Sequence, residues 1–557
     1  MNKVRKDKKM EITFWGAAKT VTGSNFLLEG AGKKILIDCG LNQGKAMEER
    51  DNYEDFGYNV HDIDYMLLTH AHIDHSGRIP KLYNEGYRNP IIATKATCDL
   101  CAIMLPDSGH IQEMEVEWRN KKRIRQGKDP MPPLYTAQDA IKCLEIFKPV
   151  SYDEIIELDE NISVRFNDAG HMLGSSIIEI WIKEHGEIKK VVFTGDLGNN
   201  DIPLLDAPTM IDNADYLIME STYGGRLHLR NDEKAETFLD IVSETLDKGG
   251  NVVIPSFAVG RTQEILYELN KLKEKKHDED FMKKYQTLMH APVYVDSPLA
   301  ISATEVFKQN VNLFDEEVRK EIESGDNPLE FPGLKFTVSA DESKALNENN
   351  TPSIIISASG MCEVGRIKHH LKHNLWNPNN TILFVGYQAP GTLGSKIVSG
   401  EKVVRIFGEE VAVNARIEYI EGYSGHADQE WLLNFIYSFL SKPKHIFLVH
   451  GEPDGQKILK EKILETTEIP VTIPEYGEQY SLDDRVNIIS KAGKEKEHKY
   501  LRLEVLGRLE TLKEELDEMT DIIRQDIVNE DKQDEEIIEI NKKIKELEQQ
   551  IVKVIEE

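Results

Sequence analysis

Short apolar runs that end in an acidic or hydroxyl residue recur along this chain. Lys34-Ile35-Leu36-Ile37-Asp38, Tyr65-Met66-Leu67-Leu68-Thr69 and Lys190-Val191-Val192-Phe193-Thr194-Gly195-Asp196 are three of them. A run of roughly four to eight residues of this kind, bounded by turn formers, predicts a buried strand. From residue 10 to 212 such strands alternate with turns and helical stretches. A carboxylate at a strand's C-terminal end, followed by a turn, builds sites in layered α/β proteins. From 213 to 420 the pattern becomes strand, helix, strand. Asn251-Val252-Val253-Ile254-Pro255, Pro292-Val293-Tyr294-Val295-Asp296, Ser353-Ile354-Ile355-Ile356-Ser357 and Thr381-Ile382-Leu383-Phe384-Val385 read as strands, with a helix from Arg261 to Lys273 between the first two. That alternation predicts a parallel-sheet unit. Residues 421–490 return to the first pattern: Lys444-His445-Ile446-Phe447-Leu448-Val449 is an apolar strand running into His450-Gly451-Glu452. The middle unit therefore reads as an insertion into a first domain that resumes near 420.

The last stretch, 500–557, changes period. Leu509, Leu512, Leu516, Met519 and Ile523 are spaced three and four apart, and Ile540, Ile544, Leu547, Ile551 and Val554 repeat the rhythm. Two helices are expected, paired as a hairpin or with another subunit. This tail is acidic, with 18 Asp and Glu against 9 Lys and Arg over 501–557.

The formal net charge of −29 over 557 residues argues against nucleic-acid binding by the whole surface, while leaving room for a local basic cleft. No apolar run reaches the length of a membrane span. The basic start, Met1 to Met10, lacks a signal peptide's apolar core, so a cytoplasmic protein is expected. Five cysteines, an odd number, do not suggest a disulfide framework. Cys98 and Cys101 form a CxxC without a second pair, on a stretch that reads as a helix with small residues packed inward.

The densest chemistry lies in Thr69-His70-Ala71-His72-Ile73-Asp74-His75-Ser76-Gly77. Imidazole and carboxylate are the donors that borderline divalent metals prefer. Four of them this close cannot all reach one ion without strain, so the spacing suggests two ions side by side. Asp38, His171, Asp196 and His450 look like partners. Alone, each has a plainer reading, since an Asp at a strand end is often a helix cap. Their weight comes from the first motif, which needs such partners.

Taken together, Asp38, His70-x-His72-x-Asp74-His75, His171 and Asp196, with Ala17-Ala18-Lys19-Thr20-Val21-Thr22-Gly23-Ser24 ahead of them, resemble the ordered motifs of the metallo-β-lactamase fold. The resemblance implies an αββα sandwich with a dinuclear zinc site. Glu220-Ser221-Thr222-Tyr223-Gly224, Ser424-Gly425-His426-Ala427-Asp428 and Val449-His450-Gly451-Glu452 resemble the three further motifs of the β-CASP nucleases. They imply an inserted β-CASP domain, here followed by the helical tail. The likeness is greatest to the RNA-processing branch, which includes the endonuclease of mRNA 3′-end cleavage and its prokaryotic relatives. Carried over by position, His70, His72 and His171 hold one zinc. Asp74, His75 and His450 hold the other, Asp196 bridges them, and Asp38 orients ligands and the attacking water. Two Zn2+ are implied, with Mn2+ as the alternative.

The implied reaction is hydrolysis of an RNA phosphodiester by water activated between two metals. Asp38 and Asp74 belong to this catalytic set. His426 is the expected general acid, and Glu220 holds its other ring nitrogen. Endonucleolytic cleavage leaving a 5′-phosphate and a 3′-hydroxyl is expected, with 5′-to-3′ exonucleolytic action as an addition. RNA contacts are expected from Arg261, at a helix start after Gly260, and from Ser357, Ser359, Arg366 and Lys368, with Lys396 as a weaker candidate. A DNA nuclease and a small-ester hydrolase of the same fold are the catalytic alternatives. An inert RNA-binding subunit is disfavoured, because every ligand position is filled. A homodimer is the expected assembly, with no basis assigned to it.

Overall fold

In a computed structural model the chain divides into a unit Met1–Lys491 and a unit Ala492–Glu557. The described residues are 9–43, 52–199, 202–228, 231–275, 278–349, 351–389, 391–420, 424–483, 485–491, 542 and 545. Lys542 and Lys545 are helical; the rest of the expected helical tail lies outside the described residues.

The first unit is built on three large sheets. An eight-stranded sheet runs, in spatial order, Asn487–Ser490, Gln479–Ser481, Glu11–Phe14, Phe26–Gly30, Lys33–Ile37, Tyr65–Leu67, Ile91–Thr94 and Phe147–Val150. A seven-stranded sheet runs Val471–Thr472, His445–Val449, Tyr216–Glu220, Glu187–Phe193, Ser176–Glu184, Ile162–Asp168 and Ile156–Glu157. Alternation along the strands decides what each face meets. Ile35 and Ile37 turn inward, to a core shared with Phe166, Ile178, Val191, Phe193 and Phe447 of the second sheet. Leu36, Met66 and Leu68 turn outward onto Leu82, Leu100 and Leu105 of covering helices. On the far side Val192, Leu217, Met219 and Leu448 pack under Leu432, Phe435, Leu459 and Ile463. Two sheets face to face with helices outside both make the αββα sandwich that the sequence implied.

The third sheet, of six strands, is parallel throughout: Leu334–Phe336, Val293–Val295, Ile354–Ser357, Val252–Pro255, Thr381–Phe384 and Arg416–Tyr419. Its inner strands Ile354–Ser357, Val252–Pro255 and Thr381–Phe384 are buried along their whole length, as in a parallel sheet covered on both faces. Tyr216–Glu220 is not part of it. That strand pairs in parallel with Glu187–Phe193 and with His445–Val449, so the crossover into the insertion lies after Glu220 rather than at the expected 213. Among the described residues no helix is long and apolar enough to cross a membrane. Cys98 and Cys101 sit on the helix Lys95–Arg125, with Cys101 buried and its thiol pushed well above the usual range by burial. All five cysteines are free.

Candidate metal centre

The site gathers where strands of the two sandwich sheets end. Asp38 follows Lys33–Ile37 with a φ of 58° and is buried. Its carboxylate faces its neighbours in the fold: Oδ1 accepts from the Thr69 backbone N–H at 2.8 Å, and Oδ2 accepts from Thr69 Oγ1 at 2.8 Å and meets His75 Nδ1 at 2.7 Å. Asp38 thus fixes the ring that presents His75 Nε2. The segment His72 to Ser76 lies against Gly40 so closely that a Cβ there would fall 1.6 Å from the Asp74 carbonyl oxygen. Glycine is required by that approach.

His70 and His72, from one segment, converge with His171 from another. His70 Nε2 stands 3.1 Å from His72 Nδ1, which stands 3.2 Å from His171 Nε2. Asp196 follows Glu187–Phe193 and reaches both halves of the site. Its Oδ2 lies 3.5 Å from His70 Nε2 and 3.7 Å from His171 Nε2, and its Oδ1 lies 3.2 Å from His75 Nε2 and 3.6 Å from His450 Nδ1. His450, in left-handed backbone with φ 47° after His445–Val449, places Nε2 at 3.3 Å from Asp74 Oδ2. Two donor groups result, His70, His72, His171 and Asp196, and Asp74, His75, Asp196 and His450.

The donors suit a cation better than they suit one another. Asp196 Oδ1 is buried without a hydrogen-bond donor. An unsatisfied buried carboxylate oxygen is costly unless something positive meets it. Burial, helped by neighbouring imidazoles, pushes His70 and His171 well below their ordinary range, and burial lowers His72. Neutral imidazole is the form that ligates metal. Burial opposes ionisation of Asp196, but the charges of His450 and His75 outweigh it and hold the carboxyl well below its usual range. Burial likewise opposes ionisation of Asp74, and the His450 hydrogen bond with the His75 charge brings it down to about 2. Nitrogen and carboxylate donors in two sets of four fit zinc.

Beside these sets lies a second constellation. His426 Nδ1 stands 3.1 Å from Glu220 Oε1, and its ring is 4.5 Å from that of His171. Burial disfavours the imidazolium, but the charges of Glu220 and Asp196 and the Glu220 hydrogen bond raise His426 to about 9. Its side chain keeps 20% exposure, so it can meet a ligand. Sequence reasoning missed the groups that orient this set. Thr69 Oγ1 is 3.1 Å from His70 Nδ1, and Thr222 Oγ1 is 2.9 Å from His450 Nδ1. The Gly425 carbonyl meets His171 Nδ1 at 3.0 Å, and His228 Nε2 meets the His426 carbonyl at 2.9 Å. Thr69 and Thr222 are adjacent to motif residues, which is a signal of sorts; His228 has none.

Chain order is matched by likeness to known proteins. A Metallo-beta-lactamase superfamily model matches residues 19–98. A Beta-Casp domain model matches 262–397, and a Zn-dependent metallo-hydrolase RNA specificity domain model matches 410–474. Ribonuclease TTHA0252 of Thermus thermophilus is 38% identical over 469 residues, covering 84% of this chain and 99% of that protein. This chain belongs to the β-CASP family of the metallo-β-lactamase fold. The Transcription termination factor FttA of Methanocaldococcus jannaschii is 33% identical over 461 residues, covering 81% of this chain and 68% of that protein. An RNase J-like protein of the same organism is 31% identical over 469 residues, covering 84% and 98%. As a β-CASP protein the chain is a metal-dependent hydrolase.

The family's inserted domain does not present every side chain where a substrate would need it. Arg366 NH1 is bonded to Asp296 Oδ1 at 2.7 Å and to the Thr337 carbonyl at 3.0 Å, and NH2 to the Val338 carbonyl at 2.8 Å. Ser357 is buried, its hydroxyl donating to the Asp296 carbonyl at 2.8 Å. Arg261 is buried and bonded to Glu264. The phosphate contacts expected of these three meet groups already committed inside the β-CASP fold. Ser359 and Lys368 are more accessible, the first donating to the Val364 carbonyl at 3.2 Å and the second lying 5.3 Å from the Phe407 ring centre. Phe257, 41% exposed, packs beside Gly386 and beside Gly360, where an added Cβ would fall 3.1 Å from its ring.

Proposed function

We propose that this chain is a ribonuclease that hydrolyses RNA phosphodiesters with two zinc ions, leaving a 5′-phosphate and a 3′-hydroxyl. His70, His72 and His171 would hold one ion and Asp74, His75 and His450 the other, with Asp196 shared. When bound, such a pair supplies Lewis-acid stabilisation of phosphate oxygens and lowers the pKa of water toward neutrality. The chain's own residues do the rest. Asp38 and Thr69 fix the rings of His75 and His70, and Thr222 fixes that of His450. The Gly425 carbonyl holds the tautomer of His171 that leaves Nε2 bare. His426, kept protonated by Glu220, passes a proton to the leaving 3′ oxygen. Around the cleft, Ser359 and Lys368 remain the candidates for backbone phosphates, and Phe257 offers a face for a base.

The observation that carries this reading is the sharing of Asp196 by both donor sets with the His426–Glu220 pair alongside. RNA as substrate is supported by the relative named a ribonuclease and by the match to an RNA specificity domain. Five free cysteines support a cytoplasmic setting. The test is cleavage of matched RNA and DNA, each labelled at either end, by metal-analysed protein. RNA cut internally, DNA left intact and two zinc ions per chain are expected. Equal cleavage of DNA would overturn the substrate, and release of mononucleotides from the 5′ end alone would overturn the endonuclease.

A further inference from the structure

The helix Lys95–Arg125 has two unlike parts. Its buried residues run from Ala96 to Val116, and none lies beyond. Gly109 marks the last tight packing: a Cβ there would lie 2.7 Å from the Ala137 backbone nitrogen. Past Val116 the helix leaves the body of the protein, yet its end is firmly built. Asn120 Nδ2 donates to the Met131 carbonyl at 2.8 Å, and the Met131 N–H donates back to Asn120 Oδ1 at 2.8 Å. Arg123 Nε donates to the Asp129 carbonyl at 2.8 Å.

The charge of this projecting end opposes that of the molecule. The chain carries −29, but Arg119-Asn120-Lys121-Lys122-Arg123-Ile124-Arg125-Gln126-Gly127-Lys128 holds six cations and no acid. Trp118, Lys121, Lys122 and Arg125 stand at i, i+3, i+4 and i+7, which is one face of a helix. Trp118 is 69% exposed. Arg119 pairs with Glu115 at 3.3 Å and Lys121 with Glu117 at 2.9 Å, both at the surface, where such pairs are weak. Among the described residues Lys122, Arg125 and Lys128 make no ion pair. Cations in a last turn offset the helix dipole, which accounts for Lys122, Arg123 and Arg125 as a stabilising device. It accounts neither for the exposed indole earlier in the helix nor for Lys128 beyond its end.

We propose that this projecting end is a second RNA-binding site, outside the catalytic cleft, holding single-strand phosphates on Lys121, Lys122, Arg125 and Lys128 and stacking a base on Trp118. The inference rests on the RNA reading of the metal centre. Elsewhere the net charge repels a polyanion, so a rigid positive face bearing an aromatic ring is where a strand is held. The helix begins beside the site, where Thr94 Oγ1 donates to the Gly174 carbonyl at 2.6 Å, three residues beyond His171. Trp118 is then roughly 35 Å along the helix axis from that loop. Short RNA can occupy only the cleft, whereas longer RNA reaches both places.

The experiment uses the full metal-loaded chain, Trp118→Ala, Trp118→Phe and a variant combining Lys121→Gln, Lys122→Gln, Arg125→Gln and Lys128→Gln. Cleavage and binding are measured on RNAs of about ten and about forty nucleotides across a salt series. The combined variant should lower the ratio of long-RNA to short-RNA kcat/KM. It should also flatten the salt slope of long-RNA binding by about 3, at about 0.7 per single-strand phosphate. Trp118→Ala should weaken long-RNA binding roughly tenfold to hundredfold and Trp118→Phe much less. An unchanged ratio and slope overturn the proposal. So does a variant that alters only the mass of the chain in solution, because Glu113, Glu115 and Glu117 precede the cations and would suit antiparallel pairing of two copies. If the wild type binds long RNA through this face but cuts none, the second site stands and the nuclease reading falls.

Discussion

Glu220 serves three partners at once. Its Oε1 accepts from the Leu197 N–H at 2.7 Å and meets His426 Nδ1 at 3.1 Å, while Oε2 accepts from the Thr222 N–H at 3.2 Å. In the proposed reaction His426→Ala removes the proton donor alone. Single-turnover RNA cleavage should fall by about 10²–10⁴-fold with zinc content unchanged. Glu220→Gln puts an amide N–H₂ against donors, loosening Thr222 and with it His450, so both cleavage and zinc content should fall. Equal zinc in the two variants would separate Glu220 from the metal centre. Asp296 poses a different question, of stability. Its buried carboxylate meets Arg366 NH1 at 2.7 Å, His370 Nε2 at 2.6 Å and Thr337 Oγ1 at 2.6 Å. Burial opposes its charge, but hydrogen bonds from His370, Ser343, Thr337 and Arg366 win and hold the carboxyl below its ordinary range. Asp296→Asn should destabilise the fold near neutral pH, by up to about 3 kcal/mol, because the half-buried Arg366 loses its carboxylate partner. The folded-state pKa lies below the unfolded value, so the contribution is present above about pH 4 and is lost as pH falls through that range. Urea unfolding at several pH values checks it: a gap between wild type and variant that stayed constant down to pH 3 would sink the assignment.

At the scale of elements, the metal centre depends on loops that press together backbone to backbone. Gly40 against Asp74 is one such place, and Gly198 against Gly170 is another, where a Cβ would fall 1.9 Å from the Gly170 carbonyl oxygen. Backbone cannot yield as a side-chain tip can. Gly198→Ala should therefore displace the His171 loop, lower zinc content in the purified protein and lower its melting temperature. A variant with full zinc and an unshifted melting temperature would show the loops to be adaptable. These contacts also explain what was legible in the sequence. Strand ends carrying Asp38, Asp196 and His450 were readable because apolar runs are local and each ended in a donor. The six-stranded insertion was readable from its strand and helix alternation. The place where the chain crosses into it was not, because Tyr216–Glu220 is as apolar as the inserted strands. Only its pairing with Glu187–Phe193 and His445–Val449 assigns it to the sandwich. Arg366 and Ser357 were less legible for the opposite reason: a cation and a hydroxyl beside a glycine turn look the same in sequence whether they face a phosphate or, as here, bond to Asp296. The projecting end of Lys95–Arg125 escaped notice because its stripe of Trp118, Lys121, Lys122 and Arg125 gains meaning only when the body is seen to end at Val116.

Across the whole first unit, the metal centre is a fastening between segments far apart in the chain. His450 and Asp74, 3.3 Å apart, are separated by 376 positions. The donors come from both sheets of the sandwich, including His445–Val449, the first sandwich strand after the insertion. A ligand that binds only the folded state stabilises it by mass action, by about 4 kcal/mol at a thousand times its dissociation constant. Here that stabilisation is not spread evenly. The donor-bearing ends of Tyr65–Leu67, Ile162–Asp168, Glu187–Phe193 and His445–Val449 gain directly. So does the return from the insertion, where Gly198 bridges to His426 and Tyr223 to Asp428. The inserted sheet contributes no residue to either donor set; Val293–Val295 and Leu334–Phe336 lie at its far edge. Removal of the bound metal by a chelator should lower the melting temperature and speed hydrogen exchange at Tyr216–Glu220 and His445–Val449, leaving Val293–Val295 little changed. Exchange that rose equally in all three strands would mean that the sandwich and the insertion open as one cooperative body. Exchange that rose in none would mean that the donors hold their places by packing alone, and the charge left on Asp196 would then need another partner.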